Sequence, residues 1–137
     1  MNIYLDIDGV LLANDLCVAK HAAEFVEYMV KTYPVYWLTT HCKGDSIFTV
    51  RFLERFFDKK TIDIMKMIRP TNWETLKTEA VDFSKPFLWF DDHLFEEEKE
   101  VLKEKKCFDS WVKIDLGMDE GQLRGWVEKD NCAREVL

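Results

Sequence analysis

The sequence lacks the features of a secreted protein, of a protein with a structural zinc site and of a membrane-spanning protein. No apolar run approaches the ~20 residues that a membrane-spanning helix needs. The first residues, MNIYLDIDGV, carry aspartates where a signal peptide would be apolar, and no basic region precedes them. The cysteines are far apart and form no CxxC pair, which argues against a closed zinc site; they are Cys17, Cys42, Cys107 and Cys132. These absences predict a reduced, cytoplasmic protein that does not associate with membranes.

Basic residues are also fewer than acidic residues. The chain has 19 Lys and Arg against 26 Asp and Glu, a net charge of −7. This balance argues against nucleic acid as a partner, because phosphate backbones are bound through Lys and Arg, but it does not exclude one. Much of the acid lies in FEEEKEVLKEKK (95–106), whose mixed charges indicate a solvated helix face.

Apolar residues are plentiful and regularly spaced. With 137 residues, 47% of them hydrophobic, the chain is long enough for one domain (1–137) with a substantial core. Runs rich in β-forming residues predict strands at 2–7, 35–39, 64–69, 86–90 and 111–116. Helical spacing predicts helices at 22–33, 46–57, 71–81, 94–106 and 119–129. The helix at 71–81 would begin with Thr71 and Glu74 at capping-box spacing. This alternation predicts an α/β protein, a three-layer sandwich with a five-stranded, mostly parallel sheet.

Polar side chains lie at, or just after, the carboxyl ends of three of the predicted strands, where ligand sites of parallel sheets form. They are Asp6 and Asp8, then Thr39, Thr40 and His41, then Asp91, Asp92 and His93. Clustered carboxylates repel one another unless a cation or a proton intervenes. Mg²⁺ prefers carboxylate and phosphate oxygens. The joint placement therefore predicts a Mg²⁺ site at one edge of the sheet.

Four segments resemble, in the same order, the motifs of the haloacid dehalogenase-like hydrolase superfamily. They are DIDGVL (6–11), VYWLTT (35–40), LKTEAV (76–81) and LWFDD (88–92). The tryptophans within the second and fourth segments, with the ending at 111–129, also resemble a small branch without a cap domain, whose relatives occur in RNA-repair proteins. The resemblance implies a Rossmann-like core. The intervals from Asp8 to Thr39 and from Thr39 to Lys77 are too short for a cap domain in addition to the core crossovers.

The resemblance implies a catalytic role for each strand-end residue. Asp6 would be the nucleophile that forms an aspartyl-phosphate. Asp8 would be the general acid and then the general base. An acidic residue at this position of the motif favours a phosphatase over a dehalogenase or a transport ATPase. Thr39 would donate its hydroxyl to the phosphoryl group, with Thr40 as the alternative. Lys77 would neutralise phosphoryl charge.

The remaining assignments concern the metal, the lysine and the substrate. Asp91 would hold Mg²⁺ with help from Asp92 and Asp6, and Asp8 would contribute its backbone carbonyl. Lys85 is the alternative to Lys77. His41, His93 and Thr40 are candidates for substrate contact, although capping or solvent exposure explains either histidine equally well.

The sequence therefore predicts a Mg²⁺-dependent phosphomonoester hydrolase that acts on a phosphorylated substrate in an open site. A second copy of the chain is a candidate for covering that site. Two other functions remain open at this point: a phosphatase of nucleic-acid ends, and a catalytically silent binding module with the same fold.

Overall fold

Strands and helices alternate along the residues that the computed structural model describes, which are 1–14 and 16–136. The strands are β1 (Asn2–Leu5), β2 (Val35–Trp37), β3 (Phe87–Asp91) and β4 (Trp111–Lys113). The α-helices are α1 (Ala22–Thr32), α2 (Ile47–Leu53), α3 (Lys59–Met65), α4 (Glu96–Glu104) and α5 (Gln122–Val136). Short 3₁₀ turns cover Lys77–Ala80 and Phe108–Ser110. No helix among the described residues is both long enough and apolar enough to cross a membrane.

The four strands form one parallel sheet in the order β2-β1-β3-β4. Ile3 at the centre of β1 pairs with Val35 on one side and Leu88 on the other. The chain leaves β1 toward β2 but later returns to the opposite side of β1 to form β3. The order of the strands therefore reverses between β1 and β3, and their carboxyl ends open onto the crevice where ligands bind in sheets of this kind.

The prediction of a fifth strand at 64–69 is wrong, because most of that segment belongs to α3 or to the turn after it. Asp58 caps α3 by accepting a hydrogen bond from the Thr61 amide at 2.9 Å. Ile62 and Met65 are buried at helical spacing. Only Arg69 reaches the sheet, where it forms a single parallel bridge with Tyr36. Pro70 follows at once and has no amide to extend the ladder.

The prediction of a helix at 71–81 is also wrong. The Thr71 hydroxyl donates to the Trp37 carbonyl at 2.5 Å instead of capping a helix. The Glu79 carboxylate accepts from the Thr75 and Leu76 amides, at 3.1 and 2.7 Å. This closes only the short 3₁₀ turn at Lys77–Ala80. The segment is therefore an irregular loop that crosses the carboxyl edge of the sheet and delivers Lys77 there.

Apolar side chains alternate between the two faces of the sheet, as a strand period of two requires. Ile3 and Leu5 belong to one buried cluster, together with Phe25 of α1. Tyr4 belongs to a second cluster, which includes Leu102 of α4. Every residue of β1 is buried, as expected for the central strand of a parallel sheet. The end of β1 is therefore held firmly from both sides.

Candidate active site

The loop after β1 places Asp6 at the crevice and turns the chain away from it. The Asp6 amide donates to the Phe90 carbonyl at 3.0 Å, which extends the pairing with β3 by one residue. Gly9 then adopts a left-handed conformation with φ of +81°. A Cβ atom at this position would lie 2.2 Å from Oδ2 of Asp92. The left-handed backbone and the lack of space for a Cβ atom both require glycine here, and its small size lets Asp92 approach the loop.

A buried lysine joins the two strand ends. Nζ of Lys77 lies 2.7 Å from Oδ2 of Asp91 and 3.4 Å from Oδ2 of Asp6. Asp91 also accepts hydrogen bonds from the Trp89 indole at 3.2 Å and from the His93 amide at 3.2 Å. The side chains of all three charged residues are at least 87% buried. Residues far apart in the sequence are thus brought into one ion-pair network.

Glu98 holds the backbone of Lys77 in place. Its carboxylate is buried and accepts from the Lys77 amide at 2.8 Å and from the Phe95 amide at 2.9 Å. This joins the 3₁₀ turn to the start of α4. The predicted solvated helix face at 95–106 is therefore interrupted by one acid that faces inward. The sequence did not single out Glu98, because the glutamates next to it are exposed and nothing in the sequence distinguishes it from them.

The cluster carries more negative charge than Lys77 balances. Burial raises the pKa of Asp6, and Lys77 only partly opposes this. Burial and the nearby Asp6 charge raise the pKa of Asp91 to about 8, although Lys77 favours the ionised form. Burial disfavours the Lys77 ammonium, but the two carboxylates outweigh it and raise the pKa of the lysine. Without a further cation, a proton remains on the carboxylate pair near neutral pH.

The donor set fits a divalent cation. One carboxylate oxygen from each of Asp6, Asp91 and Asp92 lies within 4.8 Å of the other two. Three ionised carboxylates and one ammonium leave a charge of −2, which one Mg²⁺ would balance. Oxygen ligands from carboxylates suit this ion. The Asp8 carboxylate is outside this group, so the predicted contribution of Asp8 to the metal depends on its backbone carbonyl.

Asp8 instead contacts the loop after β2. Its Oδ2 lies 2.8 Å from Nε2 of His41, which was predicted to contact substrate. Thr39 is fully buried; its hydroxyl interacts with Asp6 and accepts from the His41 amide at 3.3 Å. Thr40 is exposed and lines the opening of the site. The nucleophile candidate therefore has Thr39 as its neighbour, while Thr40 lies where substrate would enter.

The two candidate lysines lie at opposite edges of the sheet. Lys77 is at the carboxyl edge, whereas Lys85 precedes β3 and lines a separate cavity with Phe83 and Cys107. The fallback assignment to Lys85 is therefore wrong on position alone.

An open cavity of about 260 Å³ gives access to the cluster. Beside the acids and Lys77, it is lined by His93, Trp73 and Phe95. The substrate contact predicted for His93 stays a prediction. Phe95 is 56% exposed, which is unusual for a side chain of its size. Both aromatic residues lie in loops beside the strand ends that the sequence places at the rim, but neither was singled out, because no motif marks them. A neighbouring cavity of about 630 Å³ shares Asp92 with this one and extends toward Lys113 and Asp115.

No family model, curated protein or solved structure matches this chain.

Proposed function

We propose that the chain is a Mg²⁺-dependent phosphomonoester hydrolase that works through an aspartyl-phosphate on Asp6. The proposal includes the finer assignment of the fold, a Rossmann-like three-layer core of the haloacid dehalogenase-like superfamily without a cap domain. The observation that carries it is the buried bridge from Lys77 to Asp6 and Asp91, placed at the crevice where the strand order reverses.

The cost of this arrangement supports a functional role. Burying three charges requires their desolvation, and a buried ion pair seldom stabilises a fold more than apolar residues of the same size. Two carboxyl groups with raised pKa values, in a cleft, are typical of sites that handle charge. A dianionic phosphoryl group and a divalent cation would together use both the lysine and the excess of carboxylates.

The reaction would proceed in two displacements. An oxygen of Asp6 attacks phosphorus while the bond from phosphorus to the leaving oxygen breaks, and Asp8 gives that oxygen its proton. Asp8 then takes a proton from water, which attacks the phosphorus of the aspartyl-phosphate and releases inorganic phosphate. Lys77 and the Thr39 hydroxyl stabilise the charge on the phosphoryl oxygens. A cation held by Asp6, Asp91, Asp92 and the Asp8 carbonyl would supply further positive charge there.

The site is open to solvent, which suits substrates of different sizes. The described chain between β1 and β2 holds a loop and α1, and that between β2 and Lys77 holds α2 and α3. Neither described interval contains an extra domain that could close over the crevice. Lys77 and the acids are thus reached from solvent through a cavity whose rim is partly aromatic.

Hydrolysis of p-nitrophenyl phosphate, with and without Mg²⁺, tests the proposal. We expect Mg²⁺-dependent turnover that Asp6→Asn abolishes, because an amide is a far poorer nucleophile than a carboxylate. Lys77→Met should also remove activity, whereas the matched variant Lys85→Met, at the opposite edge, should retain it. Full activity in Asp6→Asn would refute the covalent mechanism.

A wider panel of esters separates this proposal from its alternatives. It should include small phosphomonoesters and oligonucleotides phosphorylated at either end. Turnover confined to oligonucleotides would indicate an end phosphatase. Absence of turnover on the whole panel, with no response of the melting temperature to Mg²⁺, would favour a binding module.

A further inference from the structure

The Asp8 side chain needs an anchor that the metal cluster does not provide. Its carboxylate is 56% exposed and stands outside the oxygen group formed by Asp6, Asp91 and Asp92. An exposed carboxylate has several rotamers, and most of them would point its proton away from a bound ester. A general acid is effective only when it lies within hydrogen-bond reach of the atom that it protonates.

His41 contacts Asp8 and is itself held in place. Its ring stacks on Phe52 of α2, with centroids 4.1 Å apart and planes 13° from parallel. The backbone on either side of the ring is also fixed. The His41 amide donates to the Thr39 hydroxyl, and the His41 carbonyl accepts from the buried Thr49 hydroxyl at 2.7 Å.

We infer that His41 is a positioning residue that orients Asp8 toward the leaving group, an inference that depends on the phosphatase function proposed above. With hydrogen on Nε2, the ring donates to Oδ2 of Asp8 across the observed 2.8 Å. Oδ1 is then the oxygen that carries the transferable proton. During the first displacement this proton moves from Oδ1 to the leaving oxygen, and His41 neither gains nor loses one. His41 therefore contributes to catalysis without touching the substrate.

If His41 positions Asp8, the activity lost when His41 is replaced should increase with the basicity of the leaving group. A p-nitrophenolate anion is stable and departs with little protonation, whereas the alkoxide of an alkyl phosphate must be protonated as it leaves. Misplacing a catalytic group by about 1 Å can cost on the order of 10²-fold in rate. We expect His41→Asn, whose shorter side chain withdraws from Asp8, to lower kcat/KM about 10- to 100-fold for an alkyl phosphate. For p-nitrophenyl phosphate we expect kcat/KM, which reports only the steps up to the first displacement, to fall less than about threefold. Hydrolysis of the aspartyl-phosphate, for which Asp8 is the base, is common to both esters and should slow equally for both.

The test compares kcat/KM for p-nitrophenyl phosphate and glycerol 2-phosphate across four variants, with Mg²⁺ present. His41→Gln carries an amide nitrogen that reaches further and should restore part of the alkyl phosphate activity. Phe52→Leu removes the stacking surface but keeps its apolar bulk, and should show the same selective loss to a smaller extent. The matched control is His21→Asn. His21 precedes α1 in a left-handed conformation that asparagine tolerates, and it lines a separate cavity.

The outcomes separate this inference from the function on which it depends. A selective loss for the alkyl ester in His41→Asn, with rescue by glutamine, supports it. Equal losses of kcat/KM for both esters, or no loss, would overturn the positioning role and leave the phosphatase proposal intact. Failure of the wild-type chain to hydrolyse either ester would overturn both. Melting temperatures of all variants identify any loss that comes from unfolding.

Discussion

The metal-free chain should lose stability as the pH rises toward 8, and Mg²⁺ should restore it. Burial and the Asp6 charge raise the pKa of Asp91 from 3.8 to about 8 in the folded state. A carboxyl with a raised pKa binds a proton more tightly in the folded chain than in the unfolded one. Its contribution to stability is therefore complete below about pH 4 and is lost as the pH rises to about 8.

The magnitude follows from the size of this shift. One pKa unit corresponds to about 1.4 kcal/mol. Between pH 6 and pH 7.5 the metal-free chain should therefore lose up to about 2 kcal/mol. At roughly 3–5 °C per kcal/mol for a chain of this length, the melting temperature would fall by roughly 6–10 °C. Mg²⁺ needs the ionised carboxylates, so its stabilising effect should grow over the same pH range.

The assay is thermal melting from pH 5.5 to 8.5 at fixed ionic strength, with chelator or with millimolar Mg²⁺. Asp91→Asn removes both the titrating proton and a metal ligand, and should remove the pH-dependent response to Mg²⁺. The matched control is Asp115→Asn, an exposed acid outside the cluster, which should behave like the wild type. A response to Mg²⁺ that is equal at pH 6 and pH 8, or that persists in Asp91→Asn, would refute the reasoning.

Three further predictions concern other groups. Asp8→Asn should slow phosphate release by about 10²–10⁴ in kcat with an unchanged melting temperature, because only a proton donor is lost; an unchanged kcat would exclude its role. Glu98→Gln should destabilise the fold by about 1–3 kcal/mol in denaturant titration and lower kcat, since one of the two amides that donate to the buried Glu98 carboxylate loses its acceptor, whereas exposed Glu97→Gln should change neither. Burial and the hydrogen bond to Asp130 raise the pKa of Tyr33 to about 12, so stability should fall between pH 10 and pH 12, a decline that Asp130→Asn should weaken when followed by circular dichroism.

The sequence predicted the parts of the site that depend on strand ends. A parallel sheet places the carboxyl ends of its strands at one edge, so the proximity of Asp6 and Asp91 followed from the apolar runs before them. The same reasoning placed Thr39 next to Asp6. The strand at 86–90 and the helix at 22–33 were also close to the observed β3 and α1, because their periodicity is strong.

The segment between α2 and β3 was not predictable in the same way. The run IMKMIR contains the β-forming residues of a strand, yet its first residues complete a helix that Asp58 begins. Thr71 and Glu74 have the spacing of a capping box, but the Trp37 carbonyl competes for the threonine hydroxyl. A local cap decided the first case, and a contact distant in the sequence decided the second. Distant contacts also determine the burial of Glu98 and the pairing of His41 with Asp8.

The central claim is that Asp6 becomes phosphorylated, and trapping the phosphoenzyme tests it most directly. Asp8→Asn treated with p-nitrophenyl phosphate and Mg²⁺ should accumulate the intermediate, because the first leaving group needs little acid while hydrolysis lacks its base. After acid quenching, we expect a phosphate that hydroxylamine removes and that peptide mass spectrometry places on Asp6. The double variant with Asp6→Asn should carry none. Phosphate on another residue, or turnover of the ester with no trapped label, would contradict the account.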